Sequence, residues 1–193
     1  RFVLGISTDT GDAEGEVRDQ RDASQLDRPA IEKALDTFRG EIQQTPPMHS
    51  AIKQGGQPLY KLARAGVEVE RASRTVRIDR LELRDFIPGA IATVEVSIDC
   101  SKGTYIRSLA TDLGGLLGVG GHVAELRRTA VGPFSADRCV ALDALGALAD
   151  RDERHAMDAL LLPTDEALEH LPLLHLPESS GFYLRQGQPV LVP

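Results

Sequence analysis

The spacing of apolar residues predicts a strand and then a helix in the first 40 residues. Residues 1–6 are rich in apolar and β-branched side chains, which is typical of a strand, and the cluster that begins at Ser7 (STDTGD) favours a turn. Apolar residues then recur at helical spacing from Leu26 to Phe38. With Ser24 before this stretch and Gly40 after it, the pattern predicts a helix of about four turns.

The middle of the chain predicts a hairpin followed by a helix. Apolar and polar residues alternate over 75–83 and again over 91–100, and a Pro-Gly turn after Ile87 separates the two stretches. Two antiparallel strands are the simplest interpretation. The residues from Tyr105 to Leu117 then present one apolar face at helical spacing before a glycine-rich stop.

The remaining segments are less regular. Proline and glycine interrupt residues 41–75, where only a short helix from Leu59 to Ala65 is predicted. The pattern predicts a strand over 123–131 and helical structure over 140–170. From residue 172 onward, short apolar runs broken by proline and glycine suggest the first strands of a second, β-rich module.

Composition places the chain among ordinary globular proteins. No apolar run approaches the roughly 18 residues that span a bilayer, and the first residues lack the order of a signal peptide, so we expect a soluble, cytoplasmic protein. The two cysteines, Cys100 and Cys139, are too few for a disulfide framework and have no metal-ligand spacing. We expect both to be buried as small apolar side chains.

The charge is unevenly distributed. The net charge of -7 opposes binding to a polyanion, because Lys and Arg provide most of the affinity for phosphates. Residues 41–80, however, hold seven basic against four acidic residues (net +3), whereas residues 137–170 hold three against nine (net -6). The chain could therefore carry a local basic surface, although solvated charged faces explain the same numbers equally well.

The segment SKGTYIRSLATDLG, which starts at Ser101, carries the most information. A strand ends there in a polar glycine turn and a helix begins, which is a place where binding sites form. Arg107 would lie in the first helical turn, where the helix dipole disfavours a base, so we expect it to pair with a carboxylate. On these grounds alone a structural ion pair is the better explanation of Arg107 than a catalytic role.

Together with GGHVAELRRTAVGPF further on, this segment resembles the C-terminal motifs of bacterial tRNA pseudouridine synthases of the TruB family. The resemblance extends over nearly the whole chain, through TDTGDAEGEV, ALDTFRGEIQQTPPMHSAIKQGGQPLYKLARAGVEV and LPLLHLPESSGFYLRQGQPV. It implies isomerisation of the uridine at position 55 in the T-arm of tRNA, by base flipping and without cofactor or metal.

The resemblance also implies roles for single residues. Arg107 corresponds to the arginine that pairs with the essential aspartate, Tyr105 to the tyrosine that lies against the target base, and Leu126 to an apolar residue of the uracil pocket. Without the resemblance, Tyr105 is a packed helix-entry aromatic and Leu126 an inward-facing strand leucine. The aspartate belongs to a GHTGTLDP-like segment that this sequence does not contain, so we expect a truncated, poorly stable chain that is inactive alone.

The glycine-rich stretch resembles the mobile thumb that closes over the T-arm. The candidate RNA contacts there are Lys53, Tyr60, Lys61, Arg64, Arg71 and Arg74, with His49 as a further candidate. Tyr60 and His49 could equally anchor the segment to the core. Arg127 and Arg128 are weaker phosphate candidates, and His122 is expected to be structural.

The implied architecture is an α+β pseudouridine synthase fold, with a mixed, largely antiparallel central sheet flanked by helices. Residues 1–171 would form the catalytic domain, 41–75 its thumb insertion, and 172–193 the start of a small RNA-binding module of the PUA type. The expected partner is the T-arm stem-loop of tRNA, bound by a monomer with no obligate protein partner and no membrane contact.

Two other functions compete with this one. A non-catalytic RNA-binding protein, or a helper of tRNA folding, would keep the RNA surface and lack the aspartate. A generic α/β scaffold with an acidic, protein-binding helix at 140–170 would explain the charge distribution but none of the motifs.

Overall fold

The computed structural model of the chain describes residues 1–191. The chain divides into two compact units, and the boundary along the sequence falls between Leu126 and Arg127. The strands of the first unit are β1 (Phe2–Leu4), β2 (Ile6–Thr8), β3 (Val17–Gln20), β4 (Gly40–Gln44), β5 (Lys53–Gln54), β6 (Gln57–Pro58), β7 (Arg74–Ile87), β8 (Ala92–Cys100) and β9 (Gly121–Val123). Its helices are α1 (Arg28–Asp36), α2 (Leu59–Arg64) and α3 (Ile106–Leu116).

A five-stranded sheet in the order β4-β7-β8-β1-β9 organises the first unit, and each of its neighbouring pairs is antiparallel. β7 and β8 form the predicted hairpin, with Leu81 opposite Ile98 and irregular pairing at two points along β7. The interpretation of the alternating stretches as an antiparallel hairpin is therefore confirmed. One isolated parallel bridge joins Asp12 to Val123 beside the sheet.

One hydrophobic core joins the sheet to α1 and α3. Its fully buried members include Phe2 and Leu4 from β1, Ile31 and Leu35 from α1, and Leu109 and Leu113 from α3. Full burial of each such side chain contributes about 1.5–3 kcal/mol. The packing of two helices on an antiparallel sheet confirms the predicted α+β class.

The first helix is shorter than the pattern predicted. α1 contains nine residues and begins after Asp27, whose side chain accepts a 2.8 Å hydrogen bond from the N–H of Ala30. Asp27 is thus the N-cap, whereas Ser24 was expected to stand at the start, and Pro29 fits the first turn because no helical N–H is needed there. Gly40, with φ +79°, already begins β4.

The strand predicted over 123–131 is wrong. β9 ends at Val123, and residues 124–129 belong to no strand. The cause is the length of its partner, since β9 pairs with β1, which is only three residues long. By contrast, the helix predicted from Tyr105 to Leu117 is confirmed as α3, and the one from Leu59 to Ala65 as α2.

The second unit consists of short elements. They are β10 (Ala130–Val131), β11 (Phe134–Ser135), α4 (Leu142–Asp150), α5 (Arg154–Asp158) and α6 (Glu178–Arg185), with single 3-10 turns at Ala136–Arg138 and Glu166–Leu168. The helical prediction over 140–170 is confirmed only in pieces, because Asp152 adopts φ +54° and Pro163 interrupts the chain.

The strands expected from residue 172 onward are absent from 172–191, where α6 forms instead. Pro177 and Glu178 stand at its start, and both favour a helix N-terminus. Residues 192 and 193, to which the same expectation applied, lie outside the described part of the chain.

The expectation of buried cysteines is also wrong, since Cys100 and Cys139 are both exposed. Cys100 is the last residue of β8, and Cys139 follows a 3-10 turn, so both lie where the chain leaves a regular element. No helix in residues 1–191 is long and apolar enough to cross a membrane.

Candidate functional site

The end of β8 and the start of α3 form the strand–turn–helix junction that the sequence predicted at Ser101. Gly103 has φ +85° and makes the turn, while Thr104 Oγ1 donates to the carbonyl of Ser101 at 2.9 Å. The N–H of Arg77 in β7 donates to Ser101 Oγ at 3.0 Å. The turn is therefore tied to the sheet, and Tyr105 stands as the extended N-cap of α3 without a side-chain cap.

A buried glutamine holds the main chain of Tyr105. Gln44, the last residue of β4, is 1% exposed. The N–H of Tyr105 donates to Gln44 Oε1 at 2.7 Å, and Gln44 Nε2 donates to the carbonyl of Tyr105 at 3.0 Å. Because a buried carboxamide needs hydrogen-bond partners, these two bonds stabilise both residues in place.

Two further hydrogen bonds join the residues after β4 to the first turn of α3. Arg107 Nη2 donates to the carbonyl of His49 at 2.7 Å, and Ser108 Oγ donates to the carbonyl of Thr45 at 3.0 Å. The start of the thumb segment is thus fastened to the helix that carries the candidate catalytic residues.

The ion pair expected for Arg107 is not present among residues 1–191, where its guanidinium makes a hydrogen bond to a main-chain carbonyl. The expectation that Arg107 pairs with a carboxylate stays a prediction. A half-buried guanidinium with unused N–H groups can still receive a carboxylate, because it presents five donors in a planar fork.

The loop between β2 and β3 lies against the same helix. Gly11 has φ +69°, and a Cβ at this position would lie 3.1 Å from Thr111 Oγ1 and 3.6 Å from Arg107 Cβ. The N–H of Val123 donates to the carbonyl of Gly11 at 3.0 Å, which fixes the loop to β9. The loop with the sequence TDTGDAEG therefore lies next to Arg107 on α3.

Leu126 lies outside any strand and is 60% exposed, so its explanation as an inward-facing strand leucine is wrong. His122 is buried, and its Nδ1 lies 2.9 Å from the carbonyl oxygen of Ile6, as expected for a structural histidine.

The thumb segment leaves the sheet after Gln44 and returns at Arg74, two residues that pair with each other. Leu59 anchors it, being 2% exposed, and the N–H of Leu59 donates to the carbonyl of Ile52 at 2.7 Å. The guanidinium of Arg64 lies 5.6 Å from the ring centre of Tyr60, close enough for a cation–π interaction.

A cleft of about 440 Å³ opens in this segment. Pro46, Ile52 and Leu59 contribute apolar surface to it, and Lys53, Arg71 and Arg74 contribute positive charge. Arg71 donates to the carbonyl of Pro46 at 3.1 Å and lies 3.7 Å from Glu68. Lys61 is exposed on α2, and Arg127 and Arg128 are exposed in the second unit.

One carboxyl group on α3 has an altered pKa. Partial burial raises the pKa of Asp112 above its ordinary value, although the residue as a whole is exposed. Within residues 1–191, no group of three or more His, Cys, Asp or Glu side chains could hold a metal ion.

The sequence interpretation missed Gln44, Ser108 and the contact of the Gly11 loop with α3. A polar residue directly before Thr45-Pro-Pro, at the end of a strand, was the available signal for Gln44.

Comparison with known proteins adds the decisive observation. The N-terminal domain described for TruB family pseudouridylate synthases matches residues 1–106, and the C-terminal domain of tRNA pseudouridylate synthase B matches residues 107–169. The chain belongs to the TruB family.

Curated relatives in this family are similar along almost the entire chain. The tRNA pseudouridine synthase B of Ectopseudomonas mendocina is 55% identical over 98% of this chain and 61% of its own length. That of Saccharophagus degradans is 50% identical over the same shares. The chain therefore spans about three fifths of these TruB relatives.

Solved structures agree on the fold. A Cbf5-Nop10-Gar1 complex includes a chain that is 26% identical, with a TM-score of 0.64 over 96% of this chain and 48% of that one. An H/ACA RNP bound to a substrate RNA containing 2'-deoxyuridine includes one that is 23% identical, with a TM-score of 0.60 over 98% and 47%. The pseudouridine synthase fold predicted from sequence is confirmed.

Proposed function

We propose that the chain forms the larger part of the catalytic domain of an enzyme that isomerises the uridine at position 55 in the T-arm of tRNA to pseudouridine. The observation that carries the proposal is the fixed start of α3, where Tyr105 and Arg107 stand together in a chain of the TruB family. In this reaction the bond from C1′ to N1 of uracil breaks, the base rotates and C1′ bonds to C5, while C5 loses its proton and N1 gains one.

Arg107 positions the essential aspartate in this proposal. Its Nη2 bond to the His49 carbonyl fixes the guanidinium, and the remaining N–H groups can hold a carboxylate ionised and oriented. The GHTGTLDP-like segment to which the resemblance assigns this aspartate does not occur among the 193 residues.

Tyr105 contacts the flipped uracil, and Leu126 contributes apolar surface to the same base. The hydrogen bonds from Gln44 hold the main chain of Tyr105, which supports a fixed position for its ring. The exposure of Leu126 is consistent with closure over a base that has left its stack.

The thumb segment binds the phosphates of the T-arm through Lys53, Lys61, Arg64, Arg71 and Arg74, with Tyr60 beside them. The basic edge of the cleft supports this assignment, since three of these residues line it. The net +3 of residues 41–80 has the sign that such contacts need. The domain boundaries, a cytoplasmic location and a monomeric state without cofactor belong to the same proposal.

A chimera tests the reaction. Residues 1–193 would replace the matching stretch of the Ectopseudomonas mendocina enzyme, and release of tritium would be measured from a tRNA transcript that carries 5-tritiated uridine. Release should follow enzyme addition and should stop when position 55 is cytidine. Binding of the transcript without release would favour the second candidate, a non-catalytic RNA-binding protein. Absence of both would contradict the proposal.

A further inference from the structure

The side chain of Gln44 continues the sheet where the strand itself ends. Residues 40–44 pair with β7, and Gln44 is the last residue of that ladder. Its carboxamide then accepts from the N–H and donates to the carbonyl of one residue, Tyr105, as a neighbouring strand would. The contact joins residues that are 61 positions apart in sequence.

This pair of bonds fixes the main chain of Tyr105, at the start of the helix that carries Arg107. The N–H of Leu109 also donates to the Tyr105 carbonyl, at 3.1 Å, so that oxygen is shared by Gln44 and the first helical hydrogen bond of α3. A shift of the Tyr105 main chain would therefore displace the first turn of α3. Arg107 lies within that turn.

Among residues 1–191, no side chain caps the N-terminus of α3, and the first turn of this helix has no acidic residue. The usual means of fixing a helix N-terminus, an N-cap side chain or a nearby acid, are thus missing at this site. Gln44 instead holds the main chain of the N-cap residue Tyr105 itself, and because Gln44 is 1% exposed, water cannot replace it without a rearrangement.

We propose that Gln44 is a positioning residue for the isomerisation, which sets the main chain of Tyr105 and thereby the placement of the Tyr105 and Arg107 side chains. This inference rests on the proposed function. It also connects the thumb to the site, because the chain that leaves β4 at Gln44 continues directly into the thumb segment.

Two variants separate positioning from simple packing. Gln44→Met keeps a similar volume and removes both hydrogen bonds. Gln44→Glu keeps the shape, but a carboxylate cannot donate to the Tyr105 carbonyl and would repel it. When the introduced carboxyl is protonated, it can donate to the carbonyl and accept from the N–H as the carboxamide does. Burial should raise the pKa of this carboxyl.

In the chimera, we expect both variants to lower kcat for tritium release at least about 100-fold at pH 8, with KM for the transcript changed much less, since small misplacement of reacting groups has effects of this size. The Gln44→Glu variant should regain activity relative to the unsubstituted chimera as the pH falls towards 5. Gln43→Glu is the matched control, because Gln43 is exposed and, within residues 1–191, its side chain donates only to Thr75 Oγ1, at 2.8 Å. It should show neither effect.

Hydrogen exchange in the 193-residue chain tests the contact independently of turnover. The Tyr105 amide lies outside any strand or helix, yet it should exchange as slowly as that of Leu109 in the core, and Gln44→Met should accelerate its exchange at least about tenfold. Far-ultraviolet circular dichroism would verify that the variant is folded.

Three results would overturn the inference. The first is a Tyr105 amide in the unsubstituted chain that exchanges as fast as that of Lys102. The second is a Gln44→Glu chimera whose kcat is unchanged at every pH. The third is a Gln44 variant in which KM for the transcript rises and kcat stays the same. If the unsubstituted chimera makes no pseudouridine, the proposed function fails, and a fast-exchanging Tyr105 amide would still show separately that the contact with Gln44 is wrong.

Discussion

Gly120 donates its main-chain N–H to the carbonyl of Gly114 at 2.9 Å, and the two glycines leave no space for a side chain between them. A Cβ on Gly114 would lie 2.5 Å from the carbonyl oxygen of Gly120. α3 can approach β9 this closely only because position 114 is glycine. The contact fixes the depth at which the helix that carries Tyr105 and Arg107 sits on the sheet.

We expect Gly114→Ala to lower the free energy of unfolding by about 1–3 kcal/mol, since the added methyl group meets main chain that cannot rotate away. The neighbouring Gly115 provides the control. Nothing lies within 4 Å of a Cβ at that position, so Gly115→Ala should raise the same free energy by about 0.5–1 kcal/mol. Urea unfolding followed by circular dichroism measures both, and equal effects would contradict the close packing.

How much the sequence could predict depended on how local each signal was. The junction at Tyr105 and Arg107 was predicted because a glycine turn and a helical apolar face lie within one short segment. Gln44 was missed because its burial depends on a contact with a residue 61 positions away. A periodicity reports which face of one element is apolar, and it does not report which elements meet.

The errors in element boundaries have the same origin. Ser24 and Asp27 are both acceptable N-caps, and only the hydrogen bond from the Ala30 N–H shows which one begins α1. The strand expected over 123–131 ends at Val123 because its partner β1 is short. The partner that limits a strand cannot be read from the strand itself.

Arg107 should be required for turnover more than for binding. We expect Arg107→Ala in the chimera to reduce tritium release at least about 100-fold, because the aspartate loses the cation that orients it. Affinity for the transcript should remain largely unchanged. Filter binding and tritium release give the two numbers, with Arg28→Ala on the exposed start of α1 as the control. Normal turnover in Arg107→Ala would remove this residue from the mechanism.

The basic residues of the thumb cleft should govern the salt dependence of tRNA binding. Within residues 1–191, neither Lys53 nor Arg74 has a carboxylate within ion-pair distance, whereas Arg77 Nε lies 2.6 Å from Asp79. We expect Lys53→Ala and Arg74→Ala each to reduce the slope of log K against log salt by about one, as for the loss of one phosphate contact. Arg77→Ala should leave the slope unchanged. Titrations at several salt concentrations measure these slopes. An equal reduction of the slope in all three variants would argue against a defined phosphate-binding cleft.

Two aspartates in the first unit should respond to pH with opposite sign. Partial burial raises the pKa of Asp112, so ionising this carboxyl destabilises the fold, and the penalty appears as the pH rises above the ordinary value of 3.8. Asp99 has a lowered pKa, chiefly because Arg80 donates a hydrogen bond to its carboxylate. Ionised Asp99 therefore stabilises the fold, and this contribution is lost as the pH falls below 3.8 towards its lowered pKa.

At pH 7 we expect Asp112→Asn to raise the melting temperature and Asp99→Asn to lower it. Both differences should shrink on acidification: that of Asp112→Asn should vanish below the ordinary pKa, and that of Asp99→Asn below its lowered one. Thermal unfolding of the 193-residue chain between pH 7 and the lowest pH at which it stays folded measures these differences. The effect at Asp99 depends on charge contacts of Arg80, which also lies 3.1 Å from Glu82, and salt screens exposed charges. In 1 M salt, the difference in melting temperature caused by Asp99→Asn should therefore shrink far more than that caused by Asp112→Asn. A lower melting temperature in Asp112→Asn would contradict the effect of burial there, and a higher one in Asp99→Asn would contradict the effect of the Arg80 contact.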